Sequence, residues 1–486
     1  MTISKMTEEE IHNYIEKHLP IRSSEKDKFG EVFTPAHLIE ELFDALPREV
    51  WTDPNLTWLD PAAGVGNFAL LAYVRLMDGL EKAIPDQTKR KSHILSRMLY
   101  QVEINPENSA KIRKLFSVPG SKTIFTGSFL ETETESNVNP KMMSHFGINE
   151  FDIIMGNPPY QRSLEAHEKR GTNAGRQTLW DKFILASFSV LKPNGYIAFI
   201  TPNSWRGLGK LAHLWGFMKS KEIPYLHIYS MKDGIKEFRA STRFDLFVIK
   251  NKENKSGKYK THVIDELGGE HHIELAKWPF FPNYAYKDIH SILTNPSKGI
   301  DVLYDTTYHT QHANQMKSAK SGKHKHPVVH SITKEGLGFW YADEIKGHFG
   351  TPKVLLNFNQ FQYPHNDYRG EYGMSQLTFA IPVKSKKEGD ALVKAINSPR
   401  FKEIVKATKW GVFQTDWRMF KYFKPDFYKM KAFAKCSGVA KRSGVAKHSG
   451  VAKDSGVAKH SSGLKTRKRN SMASSKKKTR RMLRRE

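Results

Sequence analysis

The chain has 486 residues, with 77 Lys or Arg against 50 Asp or Glu; the formal net charge of +27 suits a polyanionic partner. A single Cys excludes a disulfide framework, and no apolar run is long enough to span a bilayer, so no membrane helix or secretory leader is expected. The length leaves room for two or three domains in an aqueous, reducing compartment: cytoplasmic, or nuclear if the basic tail serves for import.

Leu56 to Asp60 reads as a strand, Pro61-Ala62-Ala63-Gly64-Val65-Gly66 as a Gly-rich turn, and Asn67-Phe68 as the opening of a helix through Ala69 to Leu76. In an open α/β sheet such a strand-turn-helix unit is a ligand loop. Gly64 and Gly66 admit a close backbone approach, and Asp60 stands at the strand's carboxyl end. Asp78 to Arg97 is polar and basic around Pro85, which predicts an inserted helix or loop. A second apolar strand, Met98 to Val102, ends in Glu103, whose carboxylate can accept hydrogen bonds from two ribose hydroxyls. Glu103 follows Asp60 by 43 residues, more than the spacing of about 20 common in dinucleotide folds, and the insertion accounts for the excess.

The apolar run Phe151 to Gly156 predicts a third buried strand, followed by Asn157-Pro158-Pro159-Tyr160. An exocyclic amino group on a nucleobase is a poor nucleophile because its lone pair is delocalised into the ring. If the Asn157 side-chain oxygen and the Pro158 carbonyl each accept one amino hydrogen, that lone pair localises, which is preorganised electrostatic catalysis. Pro158 and Pro159 stiffen the turn and remove two competing N–H donors. Tyr160 offers an aromatic face to a planar base.

In this order the motifs resemble the S-adenosylmethionine-dependent DNA amino-methyltransferases of the gamma class, the NPPY-type N6-adenine enzymes. The resemblance covers roughly residues 29 to 250. It implies a Rossmann-like, doubly wound α/β sheet of the class I methyltransferase type. It also implies that Phe33, Thr34 and Pro35 pack on the methionine part of the cofactor, that Asp60, Pro61, Ala62, Gly64, Gly66 and Phe68 form the glycine-rich cofactor motif, and that Glu103 binds the ribose. Leu191 to Ile200 resembles the family's next turn and strand, and Phe238 the residue that holds a flipped base with Tyr160. The third motif usually carries an Asp that contacts the cofactor adenine; Ser128 stands there instead, leaving Phe129 to pack on that ring. The implied substrate is duplex DNA and the implied cofactor S-adenosyl-L-methionine, with no metal. A monomer is expected, and a separate cognate restriction endonuclease is a candidate companion. Asn at the first position of the tetrapeptide favours adenine over cytosine within this resemblance.

The domain boundaries follow from this reading: 1–265 catalytic, 266–433 target recognition, and 434–486 a disordered basic tail. The middle region interleaves amides and Arg (Asn357, Asn359, Gln360, Gln362, His365, Asn366, Arg369, Gln414, Arg418) with aromatic residues, as base-edge readers require. Lys384, Lys386, Lys387, Lys402, Lys406 and Lys409 are available as phosphate clamps. His309, His312, His324, His326 and His330 lack Cys partners and regular spacing, and predict a loop. The tail repeats a six-residue unit from Ala434 onward and holds 17 Lys or Arg against 2 acids, so it cannot bury a core. Methylation of RNA, of cytosine N4 or of a protein glutamine remains open on the tetrapeptide alone, as does a binding module inactivated through Ser128. A fused nuclease would rest on Asp265, Glu274 and Lys277.

Overall fold

A computed structural model describes residues 34–116, 122–161, 178–310, 316–411 and 415–434. Phe33 and the repeat tail from residue 435 onward lie outside the described residues. The amino-terminal half is built on one nine-stranded sheet in the order β3-β2-β1-β4-β5-β7-β6-β8-β9. Its strands are β1 (Trp58–Asp60), β2 (Leu99–Glu103), β3 (Ile124–Thr126), β4 (Phe151–Gly156), β5 (Leu191–Pro202), β6 (Lys221–Tyr229), β7 (Phe244–Glu253), β8 (Thr261–Ile264) and β9 (Glu270–Ile273). β1 to β5 pair in parallel, and β7 runs antiparallel between β5 and β6. This is the doubly wound α/β sheet expected from the motifs.

Alternation along the central strands explains why both faces are covered. Ile153 and Met155 of β4, Ala198 and Ile200 of β5, and Leu246 and Val248 of β7 face one apolar core. Ile154, Ile197, Phe199, Phe247 and Ile249 face the other. A strand with period-2 side chains and two apolar faces is stable only between two helical layers. Helix α1 (Ala36–Asp44) and helix α2 (Asn67–Gly79) supply buried residues to the first core. The inserted segment is helix α3 (Gln87–His93), capped by Asp86, whose side chain accepts from the Lys89 N–H; a wide helical turn, Ile94–Met98, then leads into β2. Helix α4 (Trp180–Ser189) covers the second face with Phe183 and Ile184. Helix α5 (Met231–Phe238) opens with a capping box between Ser230 and Asp233.

β8 and β9 extend the sheet to Ile273. Beyond it lie two smaller sheets. One is four-stranded, ordered β10-β12-β11-β15, from β10 (Met316–Lys317), β11 (His326–Thr333), β12 (Gly336–Ala342) and β15 (Gly373–Met374). The other is three-stranded, β14-β13-β16, from β13 (Lys353–Asn357), β14 (His365–Asp367) and β16 (Thr378–Pro382). Helices α6 (Lys386–Ile396) and α7 (Pro399–Ala407) follow, each N-capped by a serine, Ser385 and Ser398.

A buried polar clamp joins this region to the large sheet. Arg206, after β5, donates Nε to Asp245 Oδ2 at 2.7 Å and Nη2 to Asp245 Oδ1 at 3.0 Å. The same guanidinium donates to the carbonyls of Phe281 and Pro282 and to Asn283 Oδ1. Asn283 in turn donates its N–H to the Ala407 carbonyl and Nδ2 to the Lys409 carbonyl, while Trp410 Nε1 donates to Phe281 O. None of the described helices is long and apolar enough to cross a membrane.

Candidate active site

The sheet order reverses between β1 and β4, and at such a switch point the loops leaving the two carboxyl ends diverge and open a crevice. A cavity with about 1120 Å³ of non-atom space, open solvent included, lies there. Pro61, Ala62, Gly64 and Phe68 line it from the turn after β1, Glu103 from the end of β2, and Asn157, Pro158 and Pro159 from the end of β4. Thr34, Ser128 and Phe129 complete the set of expected residues on its wall. The remaining expected residues stand outside the lining. Pro35 is the N-cap of α1. Asp60 is fully buried behind the turn, and Gly66 caps α2 in a left-handed conformation with φ +92°. Tyr160 sits behind the wall, its phenol buried without a good hydrogen bond among the described residues, and that burial raises its pKa. Phe238 is also off the wall, buried edge-on to Phe244 at 4.8 Å.

Asn157 and Thr34, 123 residues apart, define the centre. Asn157 Nδ2 donates to Thr34 Oγ1 at 3.1 Å, which fixes the amide and leaves the buried Oδ1 without a partner among the described residues. Asn67 repeats the arrangement: its Nδ2 donates to the Thr34 carbonyl at 3.2 Å, and its Oδ1 is again buried and unpartnered. Two cavity-lining residues thus each hold a buried acceptor with no donor among the described residues. An unpaired buried acceptor costs about 1–3 kcal/mol, so the pair points to a donor-bearing ligand.

The carboxylates divide the remaining roles. Glu103, 4% exposed, accepts the Gly64 N–H at Oε2 and the Asn105 N–H at Oε1, both at 2.7 Å, which orients it at the cavity edge. Among the described residues Asp60 Oδ1 accepts only the Ala62 N–H, at 3.1 Å, and Oδ2 has no partner. Burial pushes the Asp60 carboxyl up to about 7. A Cβ at position 156 would come within 3.0 Å of Asp60 Oδ1, which is why β4 ends in glycine beside it. Ser128 Oγ is spent on the Leu130 carbonyl at 2.7 Å, so its side chain does not replace an acid there. Phe129 packs against Phe183, ring centroids 5.3 Å apart.

Sequence reasoning passed over Asn67, although it stands in the glycine-rich motif, and Ile104, 53% exposed on the cavity wall next to Glu103. An apolar residue directly after a strand-end acid was the available signal for Ile104. Glu133, Gln161 and Phe183 also line the cavity but lie in no motif.

The residues of the nuclease alternative are placed differently. Asp265 accepts the Leu267 and Gly269 N–H groups and pairs with His271 in the β8–β9 turn, while Glu274 pairs with Lys277 at 2.5 Å. Among the described residues no group of three or more His, Cys, Asp or Glu is arranged to hold a metal ion.

A second, wider cleft with about 2580 Å³ of non-atom space shares Glu133 with the cavity. Lys182, Lys210 and His213 line it from the helices and turn beside the large sheet, and Tyr304, Trp410, Trp417 and Arg418 from the carboxyl-terminal region.

Residues 86–233 match the model of the Eco57I restriction-modification methylase family. The chain is 26% identical over 238 residues to an uncharacterised adenine-specific methylase of Mycoplasma pneumoniae, covering 36% of this chain and 55% of that protein. It is 23% identical over 193 residues to the type II methyltransferase M.VspI of a Vibrio species, covering 38% and 40%. Among solved structures, the ATP-dependent type ISP restriction-modification enzyme LlaBIII bound to DNA superposes with a TM-score of 0.49 at 11% identity, covering 79% of this chain and 38% of that one. The chain spans about half the length of the curated relatives it matches. The resemblance read from the motifs is borne out by the family match and these relatives.

Proposed function

We propose that this chain is a site-specific DNA methyltransferase that transfers a methyl group from S-adenosyl-L-methionine to the N6 amino group of an adenine turned out of duplex DNA. The observation that carries the proposal is the Asn157 amide, locked through Nδ2 to Thr34 and left with a buried acceptor beside the cavity that the expected cofactor residues line. The residues fit the cofactor. Glu103 would hold the ribose hydroxyls, Phe129 and Ile104 the adenine ring, and Thr34 and Asn67 the methionine end, with Asp60 behind the turn acting on its positive charge through the field alone. Bound there, the cofactor supplies a methyl group activated by a sulfonium.

The protein's own contribution is binding and electrostatics. Asn157 Oδ1 and the Pro158 carbonyl accept the two amino hydrogens, which concentrates electron density on the nitrogen. The two prolines hold both acceptors still, so no reorganisation is required as charge develops. An amino group inside the duplex cannot reach this cavity, so the base must leave the stack. The wide cleft adjoining the cavity through Glu133 suits the duplex from which it comes. In this reading residues 266–433 recognise the target and residues 434–486 tether the chain to the phosphate backbone. The chain acts as a monomer beside a separate nuclease of the same specificity.

Tritium-labelled S-adenosylmethionine incubated separately with duplex DNA, RNA and protein tests this directly. Label is expected in DNA, recovered as N6-methyladenine; label confined to RNA or protein would reassign the substrate. Asn157→Ala should lower kcat by about 10²–10³-fold while cofactor affinity stays within about threefold, because it removes the acceptor for the reacting group and leaves the cofactor contacts of Glu103, Thr34 and Asn67 in place, at the cost of one hydrogen bond to Thr34. Undiminished turnover in that variant would overturn the catalytic assignment.

A further inference from the structure

The turn after β13 is strained at three positions that are not glycine: Gln360, Phe361 and Tyr363 have φ values of +54°, +53° and +57°. Such conformations cost roughly 1 kcal/mol or more each for ordinary residues and persist only where the surroundings enforce them. Here the enforcement is visible. Phe361, 1% exposed, is pinned between Phe379 and Phe420 at 5.4 and 5.1 Å. Asn357 Nδ2 donates to the Gln362 carbonyl and to the Ile332 carbonyl, while its Oδ1 accepts the Asn359 N–H. The Thr415 N–H holds the Phe358 carbonyl at 3.0 Å.

These contacts lift the alternate side chains away from the core. Gln360 and Gln362 are half-buried, Tyr363 is 44% exposed, and among the described residues neither glutamine amide makes a side-chain hydrogen bond. They border a shallow recess with Lys402 and Lys406 of α7. Lys402 has no ion-pair partner among the described residues, and Lys406 pairs only with exposed Glu403. Phe358, where the turn begins, lines the wide cleft. Three other side chains of the region are already engaged: Asn357 as above, Asn366 with Lys386 and Asp390, and Arg418 with Asp416 and the Leu208 carbonyl.

We infer that the turn Phe358–Tyr363 is the sequence-reading element, with Gln360 and Gln362 hydrogen-bonding base edges in the major groove and Lys402 and Lys406 holding the adjacent phosphates. The inference rests on the reading of this chain as a DNA methyltransferase. The chemistry specifies the ligand: a side-chain amide matches the N6 donor and N7 acceptor of adenine, while an ammonium without a fork suits phosphate. The strain serves to hold the two amides at fixed height and spacing, and a rigid reader discriminates better than a mobile one.

The test is modification mapping in a methylation-free bacterium, with purified full-length protein assayed on the cognate duplex and on each single-base variant. Gln362 lies outside the left-handed region, so Gln362→Ala keeps the backbone of the turn; its thermal unfolding should match the wild type. Gln362→Ala and the Gln360→Ala/Gln362→Ala pair should relax discrimination at one or two A·T positions by about tenfold or more. Lys402→Ala and Lys406→Ala should each weaken binding to all sequences alike and lower the salt slope by about 1. An unchanged motif in the double Gln variant, or a loss equal on cognate and variant duplexes, would overturn the inference while wild-type methylation of DNA still stands. Absence of DNA methylation by the wild type would overturn the underlying reading and this inference with it.

Discussion

Two aspartates of the large sheet, Asp60 and Asp245, are both completely buried, yet their surroundings are opposite. Asp245 faces Arg206, whose guanidinium meets it through two hydrogen bonds and meets the carboxyl-terminal region through three more. Asp60 receives one backbone N–H, and its second oxygen has no partner among the described residues. Burial raises the pKa of both groups, and at Asp245 the Arg206 charge and hydrogen bonds oppose it. The carboxylate at the joint is satisfied, whereas the one behind the cavity's glycine turn is left wanting. Asn157 and Asn67 follow the Asp60 pattern, and Lys353 follows the Asp245 pattern, donating to Asp367 and two carbonyls.

The largest effect should come from breaking the satisfied side. Arg206→Ala would leave the Asp245 carboxylate buried and uncompensated and free the carbonyls of 281 and 282, so a loss of about 3–5 kcal/mol is expected in urea unfolding. A loss below about 1 kcal/mol would mean that water replaces the guanidinium, and the contrast between the two aspartates would disappear.

The unsatisfied side gives a smaller effect that depends on pH. The folded Asp60 carboxyl, at about 7, holds its proton more tightly than the unfolded chain at the ordinary value of 3.8. Its contribution favours the unliganded folded state below about pH 4 and is lost as pH rises through about 7. After relaxation and water entry the change over that window should be on the order of 1–3 kcal/mol. Asp60→Asn should flatten this part of the stability profile, and wild-type cofactor affinity should rise over the same window, because a cationic ligand favours the ionised carboxylate. An identical slope in wild type and Asp60→Asn would place the titration elsewhere.

What the sequence made legible divides along the same line. β4 with its Asn-Pro-Pro-Tyr turn, and β1 with its glycine loop, were readable because strand, turn and chemistry are contiguous: apolar alternation fixes the strand and the next residues fall at its carboxyl end. The inserted helix was readable from the polar stretch around Pro85. The tether between Thr34 and Asn157 was not, because it joins residues 123 apart through packing of α1 that no local pattern encodes. Phe238 matched a motif by order alone, and order does not say which way a helix-terminal ring turns; the structure packs it on Phe244. Among the amide-rich residues of the carboxyl-terminal region, composition could not separate Asn357, which braces a turn, from Gln362, which that turn presents. That division depends on whose hydrogen bonds are already made.

The smallest expected effect tests whether the open side is shaped for a ligand or merely loose. Gly64 has φ +57°, and a Cβ built there meets nothing within 4 Å, although the residue lines the cavity and its N–H donates to Glu103. Gly64→Ala should therefore cost the unliganded protein only the strain of a left-handed alanine, about 1 kcal/mol, since no protein atom is displaced. The added methyl projects into space that the protein leaves open. If that space belongs to the cofactor, calorimetry should show cofactor affinity falling by about fivefold or more, because the strain is common to the free and bound protein and only a clash with the ligand weakens binding. Unchanged affinity would instead mean that the open space beside Gly64 is an accident of the turn.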